Sequence, residues 1–256
     1  MKPHAFLFPL LLLSLILFSC ATDPAMEHFV ARKIDRPFVQ ADGIRTFSAI
    51  GNGSYAKDVV GKETVTYPIP LPLYYSFTLF ENVAVNGALI PISVDWQIEN
   101  SPAGYWGLTT GLGFGSSPYF GFYWDPTVVL TRKLRLDDTT ASLVSVKVHD
   151  VVYSEGGPTT LGAAVLVAGE FQWGPAFWTQ AGVVVNSAYT SSYSKIVGAY
   201  RYWTDDGVKF EFPLYLAASV NLGRTWDLNG SYTFSFLGRT NQTWEHSYSV
   251  GATVNY

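Results

Sequence analysis

From about Ile44 to the end of the chain, apolar and polar residues alternate in short runs separated by Gly, Pro, Asn and Asp. The last run is the clearest. Trp244, His246, Tyr248, Val250, Ala252, Val254 and Tyr256 fall on one face, and Glu245, Ser247, Ser249, Gly251, Thr253 and Asn255 on the other. A period of two places such sets on opposite sides of a β-sheet. The same alternation runs through Ile90–Glu99, Tyr119–Thr131, Phe210–Leu222 and Leu228–Phe236, and no stretch keeps a helical period. The predicted strands are 44–51, 71–80, 83–98, 104–114, 118–133, 140–154, 160–173, 176–190, 195–203, 208–222, 226–237 and 243–256, twelve in all. The pattern is weakest over 140–205, and losing two strands there would leave ten. Phe80-Glu81-Asn82 and Gly223-Arg224-Thr225 read as tight turns between strands.

Composition decides which side of these strands meets what. Charged residues make up only 14% of the chain and aromatics 16%, against about 25% charged in ordinary soluble domains. A soluble surface needs more charge than this, whereas a lipid-facing surface does not. In hydrocarbon every backbone N–H and C=O must be paired internally, so strands cross a bilayer only as a closed barrel. Several runs have about the 9–11 residues that a tilted crossing strand needs. Trp96, Tyr105, Trp106, Trp124, Trp173, Trp203, Trp226 and Trp244 lie toward run ends, where aromatic girdles sit. The expected fold is all-β, an antiparallel up-and-down transmembrane barrel over 43–256. The competing fold is a soluble β-domain held at the membrane by lipid and binding a small apolar ligand. It requires the aromatic face to point inward.

The N-terminus has its own logic. Lys2, the apolar run Phe6–Phe18 and the closing Leu17-Phe18-Ser19-Cys20 form a secretory signal over 1–19. The apolar run is too short to span a bilayer as a helix. Cys20 is the only cysteine, so the mature body contains no disulfide. Residues 20–42, with Pro24, Pro37 and the basic cluster Arg32, Lys33 and Arg36, read as a lipid anchor and tether.

Two resemblances follow from these residues. Leu17-x-Ser19-Cys20 resembles a bacterial lipobox, which implies acylation of Cys20; Ala21 in place of aspartate then favours the outer membrane. The terminal alternation ending on Tyr256 resembles the C-terminal assembly signal of bacterial outer-membrane barrels. The implied partners are outer-membrane lipid, the barrel-assembly machinery and the lipoprotein-sorting machinery. Both chain ends would lie on the periplasmic side, which requires an even strand number.

Little in the chain suggests catalysis. His149 is followed two residues on by Val151, and His246 by Tyr248, so neither has a hydroxyl nucleophile on its own face. Ser247 is adjacent to His246 but points the other way. Asp137-Asp138 and Asp205-Asp206 sit in turn-like segments. No His, Asp or Glu cluster has metal-ligand spacing, and no cofactor is expected. Gly111-Leu112-Gly113-Phe114-Gly115 lacks the spacing and lysine of a phosphate loop. The net charge of −4 gives no basic footprint for nucleic acid.

The polar strand face remains. Asp95, Glu99, Asp125, Lys147, His149, Glu170, Gln172, Glu211, Asn221 and Glu245 are predicted to face the lumen. They either cross-link a closed interior or line a narrow aqueous path favouring cations or neutral solutes. The expected function is a non-enzymatic outer-membrane protein, either a narrow pore or a structural, surface-exposed barrel. A lipid-acting barrel enzyme is the alternative.

Overall fold

The computed structural model describes residues 29–41, 43–58, 63–69, 73–87, 92–117, 121–153, 160–190, 193–197, 200–204, 207–223, 225–235 and 242–256, at several strand ends by backbone alone. The signal segment, Cys20 and residues 21–28 of the expected tether lie outside the described residues.

Among the described residues a 3₁₀ turn, Lys33–Asp35, precedes sixteen strands. The first six are β1 (Arg45–Asp58), β2 (Glu63–Ile69), β3 (Leu73–Phe80), β4 (Val83–Gly87), β5 (Ile92–Ser101) and β6 (Gly104–Ser117). Next come β7 (Gly121–Arg135), β8 (Thr140–Tyr153), β9 (Thr160–Gln172) and β10 (Phe177–Thr190). The rest are β11 (Tyr193–Val197), β12 (Tyr200–Thr204), β13 (Gly207–Glu211), β14 (Leu214–Leu222), β15 (Trp226–Ser235) and β16 (Gln242–Asn255).

The sheet closes on itself. Its order runs β1, β3, β4, β5, β6, β7, β8, β9, β10, β14, β15, β16 and back to β1, a ring of twelve antiparallel staves. β2 continues β3's stave along the upper part of β1, and β13 does the same for β14 along β10. Within the ring every stave is paired on both sides. The seam joins the two ends of the chain: β1 pairs with β16 from Thr46↔Asn255 to Asp58↔Gln242. Arg45 and Tyr256 exchange both backbone hydrogen bonds there, at 2.8 and 2.9 Å.

Twelve staves were expected, but two of them are different ones. The predicted strand 83–98 is two strands, β4 and β5, which pair antiparallel from Val83↔Trp96 to Gly87↔Ile92. The chain leaves β4 after Asn86-Gly87, within what reads in sequence as one alternation. The predicted strand 195–203 is not a stave. β11 and β12 form their own two-stranded sheet, apart from the ring.

Short turns at 81–82, 102–103, 136–139 and 173–176, with Gly223 and Thr225, gather on the rim that carries residues 45 and 256. At 136–139 the Asp137 carboxylate accepts hydrogen bonds from the backbone N–H and side-chain hydroxyl of both Thr139 and Thr140. These bonds, the Thr140 hydroxyl foremost, hold its pKa down to about 2. Asp137, expected only to sit in a turn, organises it.

Alternation assigns the faces. Phe122 (71% exposed), Trp124, Val128, Leu216, Leu228 and Val250 (67%) stand on the outer wall. The aromatic and aliphatic face therefore points outward. Hydroxyl, amide, glycine and charged residues face inward. Thr131 and Ser145 share a hydrogen bond across β7 and β8 (3.0 Å), as do Ser231 and Ser249 across β15 and β16 (2.7 Å). Among the described residues no helix is long and apolar enough to cross a membrane.

Candidate functional site, a plug inside the lumen

Residues 29–41 lie inside the barrel at the short-turn rim. Their contacts go to inward positions on eight strands around the ring. Gln40 O accepts from Thr78 on β3, Val39 N donates to Gln97 Oε1 on β5 (3.1 Å), and the Phe38 ring packs on Tyr105 of β6 (centroids 5.4 Å apart). Asp35 pairs with Arg135 of β7 (2.8 Å), and Ile34 packs with Ala141 of β8 and Trp178 of β10. Ile34 N donates to Gln172 Oε1 on β9 (3.2 Å), and Arg36 reaches Asp227 on β15. A segment lying outside the wall could not touch all of these residues. The part of the expected tether that the structure describes is thus a plug.

Local sequence explains its shape. Asp35 N and Arg36 N donate to Arg32 O and Lys33 O, which makes one 3₁₀ turn. Pro37 then holds Arg36 extended (φ −61°, ψ 131°), because a residue before proline is biased away from helix. Phe29, Ile34 and Val39 are buried at 5%, 2% and 2% exposure. The wall is cut to receive the plug. A Cβ at Gly107 would lie 2.3 Å from the Phe38 ring, so only glycine fits there.

The charges interlock. Arg36 grips Asp227 with two bonds, Nη1 to Oδ2 at 2.6 Å and Nη2 to Oδ1 at 2.9 Å. This fork geometry is the strong form of the ion pair. Asn221 and Asn255 donate to the same carboxylate. Below the plug, Lys133 and Glu170 pair at 2.7 Å with side chains 5% and 7% exposed. Gln180 Nε2 donates to Glu170 at 3.3 Å. Lys33 Nζ donates to Asn229 Oδ1 (2.7 Å) and lies 5.1 Å from the Trp178 ring centre. Burial, opposed by the charge of Asp227, lowers its pKa to about 8. Arg32 reaches Asp138 O at the rim.

The predicted lumen residues divide. Glu170 faces in and joins the plug network. Asp95 faces in, accepting from Asn86 Nδ2 (2.6 Å) and Thr109 Oγ1 (2.5 Å). Asp125 and His149 face in and pair through Oδ1 and Nδ1 at 3.2 Å. Gly162 opposite leaves His149 its space: a Cβ there would lie 2.1 Å from Nε2. Lys147 holds an inward register position between Val129 and Ala164. Glu211 and Glu245 occupy inward backbone positions, and their side chains lie outside the described ones.

Glu99 is the correction. A β-bulge between Gln97 and Glu99 shifts the register by one, so Gln97 keeps the inward face and Glu99 pairs opposite Trp106 on the outer wall. There it bridges Arg132 at 3.3 Å, and Arg132 lies 5.0 Å from the Trp106 ring centre. Tyr105, expected in an outer girdle, faces in against Phe38. His246 faces out, beside the Tyr232 hydroxyl and the Phe234 ring (4.6 Å). Tyr256 is partly exposed at the seam. Among the described residues no group of three His, Cys, Asp or Glu is placed to hold a metal ion.

The plug itself escaped the sequence reading. Its signal was present: Arg32, Lys33 and Arg36 are mixed with Ile34, Phe38 and Val39, a composition suited to a wall bearing acids and apolar gaps. Asp227 was missed because it stands one residue into its strand, directly after a turn.

No family model and no curated protein matches the chain. Solved structures do. It is similar to the outer-membrane expressed OmpT of Vibrio cholerae at 8% identity, over 86% of this chain and 100% of that one, with a TM-score of 0.43. It is similar to the Pseudomonas putida toluene transporter TodX at 8% identity, over 91% and 93%, TM-score 0.44. It is similar to the NanC porin at 11% identity, over 81% and 98%, TM-score 0.47. The assignment of a closed twelve-stave barrel rests on the strand order itself, not on these likenesses.

Proposed function

We propose that this chain is a bacterial outer-membrane barrel, additionally anchored by lipid on Cys20, that serves as a closed structural or surface-exposed protein and not as an enzyme. The observation that carries the closed state is the plug: one segment bonded to inward residues on eight strands. The membrane reading rests on an outward apolar wall and a closed ring of paired staves, the form in which strands satisfy their backbone in hydrocarbon. The short-turn rim, which carries Arg45 and Tyr256, faces the periplasm, where an acylated Cys20 would be anchored, nine positions before Phe29.

Planar-bilayer recording tests the closed state. Wild-type protein is expected to stay closed with rare openings. Asp227→Ala strands Arg36 without its partner and is expected to raise the open fraction. Steady conduction by the wild type, unchanged in Asp227→Ala, would favour the narrow-pore reading instead. Gel mobility before and after boiling tests the membrane reading: a heat-dependent shift that survives Cys20→Ala is expected, and release of that variant as soluble protein would overturn it.

A further inference from the structure

Close to the short-turn rim, the apolar outer wall carries an ion pair. Glu99, Trp106 and Arg132 stand side by side on β5, β6 and β7, one row across three strands. Glu99 Oε2 accepts from Arg132 Nη1 at 3.3 Å, and the guanidinium lies over the Trp106 ring. Around them on the same strands, Trp96, Ile98, Leu130 and Leu134 are exposed and apolar. Three observations concern this row. First, Glu99 faces out because of the bulge after Gln97; unbroken alternation would turn it into the lumen. Second, the pair has unused bonding capacity. Among the described residues the 3.3 Å contact is the one hydrogen bond of either side chain, which leaves Glu99 Oε1 and most of the five guanidinium donors free. The Glu99 side chain is 50% exposed and that of Arg132 20%. Third, the row has the height of a membrane interface. Glu99 and Trp106 each lie three residues from the turn at 102–103, and Arg132 four from that at 136–139. Charge on a lipid-facing wall is tolerated near the interface, where tryptophan also gathers.

We propose that this row binds the headgroup of a periplasmic-leaflet phospholipid that carries a primary amine. Such a headgroup holds a phosphate and an ammonium group two carbons apart, and the row presents their complements side by side. The phosphate accepts from the free edge of Arg132, and the ammonium donates to Glu99 Oε1. The acyl chains run over Leu130 and Val128, the exposed outward residues of β7 that lead away from the rim. A headgroup with negative charge alone meets Glu99 as a like charge, and a quaternary ammonium has no N–H to give it. The inference rests on the membrane reading, yet it can fail while the heat-dependent gel shift persists; loss of that shift would remove the membrane reading itself.

The test is native mass spectrometry of the full-length protein in detergent. The probes are equimolar phosphatidylethanolamine, phosphatidylcholine and phosphatidylglycerol with identical acyl chains. Phosphatidylethanolamine is expected to be retained at least fivefold over each of the others. Glu99→Gln should bring it level with phosphatidylcholine, and Arg132→Gln should reduce all three, with the heat-dependent shift kept in both variants. Equal retention of the three by wild type, or a preference unaltered in Glu99→Gln, would overturn the proposal. Preference for phosphatidylglycerol would overturn it in favour of a plain cationic site. A lipid-free dimer that Arg132→Gln dissociates would assign the pair to a second copy of the chain instead.

Discussion

The two halves of the lumen are built on opposite principles. Toward the short-turn rim the inward residues are large, and the charged ones are paired: Lys133, Glu170, Gln172, Trp178, Gln180 and Asp227, all buried and closed by residues 29–41. Toward the other rim small inward residues, Gly111, Gly113, Ala164, Ser231, Thr233 and Ser249, alternate around the ring with Asp125, Lys147 and His149. The strands are continuous, so the difference lies in side chains alone. One half is a solid made from ion pairs and an inserted segment, and the other is a lined space. Charge within a barrel therefore does not by itself indicate a conducting path. In this lumen the densest charge marks the seal.

The contrast should break most severely where the seal is densest. Glu170→Ala leaves the buried Lys133 ammonium unpaired, a loss of about 3–5 kcal/mol. Urea titration in detergent is expected to show it as a lower unfolding midpoint, and a midpoint equal to wild type would mean that the pair is not buried. Next is the outer wall. Val250→Arg puts a charge among exposed apolar residues of β16, at about 2–4 kcal/mol near the bilayer midplane. Folded yield in the outer membrane should fall, and normal yield would count against the register.

A smaller effect sharpens the plug itself. The Lys33 pKa of about 8 lies below the ordinary 10.5. Between those values the undocked chain holds a proton that the docked plug has released, so raising the pH favours docking, by up to about tenfold per pH unit. The closed fraction in bilayer recordings should rise from about pH 8 to about pH 10 and stay flat in Lys33→Met. Least affected is the open half. Ser231→Ala with Ser249→Ala removes one hydroxyl pair together with both its partners, and should change stability by only about 0.5–1.5 kcal/mol. A larger loss would mean that the far half is as tightly built as the seal.

What was legible in sequence was whatever a period of two records. The outward set on β16 and the short turn at 81–82 came from alternation, and the closed antiparallel ring from the need to pair every strand. The stave number also agreed, through two offsetting errors: one strand counted where β4 and β5 are two, and β11–β12 counted though they stand aside. Alternation is blind to direction reversal within a run, and only the Asn86-Gly87 pair marked it. It is equally blind to a bulge, which is how Glu99 came to be placed on the wrong wall. The plug was illegible for a different reason. Residues 29–41 have no period to detect, because their neighbours are scattered from Thr78 to Asp227.

That scatter bears on how the molecule is made. The plug's partners are supplied by strands from β3 to β15, so during synthesis the segment that emerges early has nothing complete to dock against until almost the last strand is in place. The seam that follows, β1 with β16, is the longest-range pairing in the chain, and contacts so distant in sequence form slowly. Residues 29–41 would stay open to protease through that interval and become resistant once the ring has shut. Their protection is a clock for the completion of the barrel.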